Sequence, residues 1–108
     1  MTAPVQHPMF IDGQFVSWQG EGWLDVVNPA TEEVLARIPD GRAEDARQAI
    51  EAAERAQPGW EALPAIERAG WLRKIAAGIR DNASEISALI VAEGGKIQQL
   101  ADVEAVSY

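Results

Sequence analysis

Apolar positions change their period near residue 42. Before it, Met9, Ile11, Phe15 and Val16 surround an Asp12-Gly13 pair, the pattern of a β-hairpin closed by a two-residue turn. Residues 24–27 form a second extended run, stopped at Asn28-Pro29. Residues 33–38, with Val34 and Ile38, form a third, ended by Pro39-Asp40-Gly41. The spacing predicts three or four short strands over residues 1–41. Trp18 and Trp23 bracket Gly20 and Gly22 and are expected to cap the sheet by packing; a ligand-stacking pair is the competing reading.

From Ala43 the period becomes helical. Ala46, Ala49, Ile50, Ala53 and Ala56 fall on one face of a first helix, with Glu44 and Asp45 in its first turn, where the helix dipole favours anions. Glu51 and Arg55 are spaced for an i, i+4 ion pair. Gln57-Pro58-Gly59 is expected to stop this helix. Pro64 suits the first turn of the next, whose stripe is Leu72, Ile75, Ala76 and Ile79. Asn82 and Glu85 have capping-box spacing, and Ile86, Leu89 and Ile90 continue the stripe, as one broken helix or two abutting ones. A last helix runs from Ile97 to Tyr108. The expected fold class is α+β: hairpin and short strands, then three to four helices over residues 42–108.

Composition narrows the function. Seventeen acids against nine Lys and Arg give a net charge of −8, which disfavours nucleic acid and anionic membrane as partners. The chain has no cysteine, hence no disulfide, thiolate nucleophile or cysteine metal site. Neither a signal-peptide pattern nor a membrane-length apolar run is present, and a cytoplasmic location is expected. His7 is the only histidine, in an N-terminal arm expected to be mobile, so no Ser/His/Asp triad or metal cluster can be assembled. Glu32-Glu33 and Asp102/Glu104 are paired carboxylates, expected to be solvated.

Glu93-Gly94-Gly95-Lys96 admits three readings: a phosphate cradle, a catalytic carboxylate in a tight turn, or a helix end. A phosphate loop needs G-x-x-x-x-G-K and then Ser or Thr, after a strand. Here Ile97 follows Lys96 and a helix precedes, so that reading fails. Glycine past the last apolar turn supplies a left-handed C-cap.

Five stretches in order, MFIDGQFV, VVNPATEEVLARIPDG, AEDARQAIEAAERAQPGW, LPAIERAGWLRKIA and ALIVAEGGK, together resemble the N-terminal segment of the NAD(P)-dependent aldehyde dehydrogenase superfamily. The resemblance covers essentially all 108 residues. It implies a parent with a Rossmann-type cofactor domain, a catalytic domain and an oligomerisation hairpin, of which this chain is a partial piece on the cofactor-domain side, not a complete domain. It implies oxidation of a small aldehyde, with lactaldehyde or glycolaldehyde the nearest match, by a homo-oligomer using NAD or NADP. The implied chemistry is cysteine attack, oxyanion stabilisation, hydride transfer and release of the acid by a glutamate-activated water.

None of those catalytic or cofactor-binding residues maps onto this chain, so no site residue and no bound cofactor are assigned to it. The family's base lies in an E-L-G-G-K motif, two places before the first glycine; here that place is Ala92, and Glu93 is not the base. In some members a monovalent cation is held by backbone oxygens before the Asn-Pro step and by an acid after the Gly-Lys turn, which correspond to Val27 and Glu104. The chain's expected partner is the rest of its own enzyme, with no nucleic acid and no membrane; a free-standing acidic interaction module is the alternative.

Overall fold

The computed structural model describes residues 3–107. Its elements are β1 (Val5–Gln6), β2 (Met9–Ile11), β3 (Gln14–Val16), β4 (Trp23–Val27), β5 (Val34–Pro39), α1 (Ala43–Glu61), α2 (Ala65–Asp81), α3 (Ala83–Gly94) and α4 (Gln98–Ser107). This is the α+β order expected, with one more strand. Tyr108, expected at the end of the last helix, lies outside the described residues. No helix among them is long and apolar enough to cross a membrane. The chain forms two compact units, one from residues up to 26 with 34–63, the other from 27–33 with residues from 64 on.

In the first unit β1, β5 and β4 form a sheet in that order. β1 pairs in parallel with β5, Val5 opposite Ala36 and Gln6 opposite Arg37, and the His7 N–H donates to the Arg37 carbonyl at 2.9 Å. This corrects the expectation of a mobile arm around His7: its backbone is held by a strand remote in sequence. The hairpin forms as expected. Ile11 faces Gln14 across Asp12 (φ 55°) and Gly13 (φ 74°), two left-handed residues that match the twist of paired strands. Phe10 and Phe15 meet edge to face with ring centres 5.1 Å apart, on a side left largely exposed. Trp18 folds back over Gly20, where any Cβ would lie 2.2 Å from its ring, and its indole N–H donates to the Gly22 carbonyl at 2.9 Å. It closes its own loop, while Trp23 opens β4 and is half-buried.

α1 differs from its expectation in three ways. It runs through Pro58 to Glu61. Pro58 withdraws one N–H from the ladder, but Ala62 donates to the Pro58 carbonyl and Leu63 to that of Trp60, so the last turn closes beyond it. The buried residue is Ala52; Ala46, Ala49, Ile50, Ala53 and Ala56 are exposed, because the helix meets β2 along a strip offset from the expected seam. Finally, Arg55 does not hold Glu51. Its guanidinium lies 3.3 Å from the Asp12 carboxylate in the hairpin turn, an exposed pair worth little stability.

In the second unit α3 and α4 are the main pair. Ala101 is wholly buried and Ala105 nearly so, and alanine lets the two helix axes approach closely. α2 and α3 abut at Asn82, and the expected capping box is absent. The Asn82 side chain instead donates to the Gly78 carbonyl at 2.8 Å, satisfying the end of α2 rather than the start of α3. Pro64 sits one place before the first helical residue, its carbonyl accepting from Glu67 and Arg68. Of the second expected seam, Ala76, Ile86 and Ile90 are half-buried, whereas Leu72, Ile75, Ile79 and Leu89 remain exposed.

Candidate functional site

The Glu93–Lys96 turn is a helix end. Gly94 is the last residue of α3, and Gly95 follows at φ 67°, ψ 17°, donating its N–H to the Val91 carbonyl at 3.0 Å. A Cβ on Gly95 would lie 3.0 Å from Pro29 Cγ, so glycine also allows the 28–33 turn to press against this end. That turn is organised by Asn28. Its side-chain oxygen accepts from the Ala30 N–H at 2.9 Å, and its carbonyl accepts from Glu32 at 2.8 Å. Lys96 is not aimed at an anion site; its ammonium pairs with the Glu104 carboxylate.

Glu32 stands in left-handed backbone at φ 61°; the Glu33 carboxylate accepts a long contact from the Thr31 hydroxyl at 3.5 Å, and the Glu33 N–H donates back to that hydroxyl at 3.4 Å. Glu104 is neutralised by Lys96. Val27 ends β4, and a cation taken up at Glu104 would compete with that ammonium. Among the described residues no group of three or more His, Asp or Glu side chains could hold a metal ion.

Asp102 belongs to a cluster that the sequence pattern does not announce. The Ser87 hydroxyl, buried to 1% exposure, donates to Asp102 Oδ1 at 2.5 Å, and Gln98 Nε2 donates to both Ser87 Oγ and Asp102 Oδ1 at 2.7 Å. Gln98 and Asp102 are one turn apart on α4, a spacing visible in the sequence; their meeting with Ser87 of α3 is not. The Ser87 hydrogen bond first, then that of Gln98, holds the Asp102 carboxyl below its ordinary range. A depressed carboxyl pKa stabilises the fold above the unfolded value of about 3.9, and that contribution is lost as pH falls through the folded value. Ser87→Ala is therefore expected to flatten the acid limb of stability below about pH 4, read as helicity against pH. An unchanged acid limb would contradict the role given to Ser87. The cluster ties α3 to α4 as a staple between the two helices.

A dinucleotide would require amides free to meet phosphate at a strand-to-helix junction. The junction present, from β5 into α1, is closed to anions: the Asp45 carboxylate accepts from the Arg42 N–H at 2.8 Å, and Glu44 stands beside it. That junction therefore offers an incoming anion no free amide at Arg42.

The sequence pattern of the aldehyde dehydrogenase family matches residues 15–108, and the chain belongs to that family. It is 80% identical over 104 residues to lactaldehyde dehydrogenase of Escherichia coli strain K12, covering 96% of this chain but 22% of that protein, at its N-terminal end. Against the crystal structure of lactaldehyde dehydrogenase from Escherichia coli the TM-score is 0.93 at 79% identity, over 95% of this chain and 22% of that one. PnpE, solved in complex with nicotinamide adenine dinucleotide, matches 91% of this chain and 20% of its own at 35% identity, with a TM-score of 0.84. The chain thus spans about a fifth of the length of the relatives it matches.

Proposed function

We propose that these residues are the N-terminal part of an NAD-dependent aldehyde dehydrogenase that oxidises a small 2-hydroxyaldehyde, lactaldehyde or glycolaldehyde, to its carboxylate. The part played by residues 1–108 is structural. One observation carries this reading: among the described residues the buried apolar side chains are the small ones of Ala52, Ala101 and Ala105, while Phe10, Phe15, Trp71, Leu72 and Ile75 are each more than half exposed. A self-sufficient domain buries its large apolar groups, each worth roughly 1.5–3 kcal/mol. A segment that serves as a layer of a larger body leaves them for the rest of that body to cover. Identity of 80% to lactaldehyde dehydrogenase supports the substrate class, and the nicotinamide adenine dinucleotide held by PnpE supports the cofactor. In this reading the nucleophile, the base and the cofactor site belong to the remaining four-fifths, and the enzyme is a cytoplasmic homo-oligomer.

The test is a graft in which residues 1–108 replace the N-terminal 22% of the Escherichia coli enzyme. The graft is expected to reduce NAD with lactaldehyde and glycolaldehyde at rates comparable to the unaltered enzyme, while the isolated chain, which lacks cysteine, turns over neither. A folded graft that is inactive, or an isolated chain that oxidises an aldehyde, would refute the reading.

A further inference from the structure

The chain contains two Asp-Gly steps, Asp12-Gly13 and Asp40-Gly41, and the fold treats them differently. An aspartate before glycine is open to attack on its own side chain, because the glycine nitrogen has no neighbouring Cβ to shield it. Asp12 and Gly13 are the turn residues of the β2–β3 hairpin, at φ 55° and 74°, and the Asp12 side chain is 69% exposed. A Cβ on Gly13 would meet nothing within 4 Å, so a ring has room to close there. The hairpin has three residues in each strand, those of β3 all exposed, and a hairpin this short opens readily. Opening matters because ring closure locks the torsion between Asp12 and Gly13 in a flat frame that a two-residue, left-handed turn cannot hold.

Asp40 is held instead. Its N–H donates to the Gly22 carbonyl at 3.0 Å. A Cβ on Gly22 would lie 3.0 Å from Asp40 Cβ, and one on Gly41 would lie 2.9 Å from Met9 Cε. This step is wedged between the residue before β4 and the first residue of β2.

We infer that Asp12-Gly13 is a site of spontaneous covalent modification, isomerising to isoaspartate, and that packing protects Asp40-Gly41. The Gly13 nitrogen, on losing its proton, attacks Asp12 Cγ; a C–N bond forms and one carboxyl oxygen leaves as water. Water then adds to either carbonyl of the resulting succinimide. Addition at Cγ breaks the new bond and restores aspartate. Addition at the main-chain carbonyl breaks the original peptide bond, so that the chain runs through Cβ and Cγ and a free α-carboxylate remains. One water departs and one returns, and neither mass nor oxidation level changes. The extra backbone carbon removes the tight closure that sets Ile11 opposite Gln14. Arg55 is the brake. Its guanidinium lies 3.3 Å from the Asp12 carboxylate and draws it toward α1, and the carboxyl must leave that pair to reach the Gly13 nitrogen.

The test uses the whole 108-residue chain, aged in neutral buffer and digested. Electron-transfer fragmentation of the peptides distinguishes isoaspartate from aspartate at each position. Isoaspartate at position 12 is expected to accumulate about fivefold faster than at position 40, the worth of one hydrogen bond of the kind Asp40 keeps. In unfolding urea the two rates should converge, since both steps are then open chain. Arg55→Met, at a side chain 64% exposed, should speed position 12 and leave position 40 unchanged. The expected gain is about two- to fivefold, the range of an exposed ion pair. Asp12→Glu, which would have to close a larger ring, should remove the signal at position 12. Equal rates in buffer, or a ratio that persists in urea, would overturn the inference. An Arg55→Met rate equal to that of the parent would overturn the role given to Arg55.

Discussion

Gly95→Val is expected to destabilise the second unit strongly, whereas Gly94→Ala should be nearly neutral. The two glycines are adjacent but not equivalent. Gly94 closes α3 and an added Cβ there meets nothing within 4 Å. Gly95 sits at φ 67°, where a Cβ crowds the following carbonyl at roughly 1–2 kcal/mol, and β-branching makes that conformation harder still. The added Cβ would also stand 3.0 Å from Pro29 Cγ, so the 28–33 turn must withdraw from the helix end. Denaturant midpoints of the two variants and the parent measure the difference. Equal effects of Gly94→Ala and Gly95→Val would mean that Gly95 is not the left-handed cap.

The second large effect is expected from Ala101→Leu. Ala101 has no exposed surface and lies where α4 meets α3. The larger side chain has no space unless the helix axes separate, and overpacking of this kind typically costs about 1–3 kcal/mol. The Ser87–Gln98–Asp102 cluster spans the same interface, so separation would break its hydrogen bonds as well. Ala101→Leu should therefore lower thermal stability and abolish the acid sensitivity assigned to Asp102. The neighbouring change Leu100→Ala, at a position 58% exposed, serves as the control and should be mild by comparison. A melting temperature for Ala101→Leu at or above that of the parent would show that the interface is loose.

The features legible in the sequence are those set by a few neighbouring residues. Asp12-Gly13 announced the hairpin and the Gly94-Gly95 pair the end of α3, because positive φ selects glycine and its short polar companions; the backbone assigns the left-handed place to Gly95. What escaped depends on partners far along the chain. β1 is two residues long and is fixed by β5, so Val5-Gln6 carries no local signal of a strand. α1 has alanine on several sides, so its period does not select Ala52 as the buried position. Asn82 has the chemistry to cap either of the helices it joins, and geometry decides for α2. Ser87 reads as an ordinary polar position until α4 brings Gln98 and Asp102 to it. The absence of cysteine was plain from composition, whereas the burial of Arg68 Nε, without a partner among the described residues, depends on the packing around α2.

β4 lies at one end of the sheet order, with β5 on one side. Its other edge offers five residues of backbone donors and acceptors, with Leu24 and Val27 close to half exposed. Such an edge can template a strand from another molecule. Opposing it is the mutual repulsion of chains that each carry a charge of −8. That repulsion extends about 30 Å in 0.01 M salt but only about 8 Å at physiological ionic strength. Edge-to-edge assembly of the isolated chain is therefore expected to depend on ionic strength: dilute buffer should keep copies apart, and added salt should bring them within reach of hydrogen bonds that carry no sequence preference.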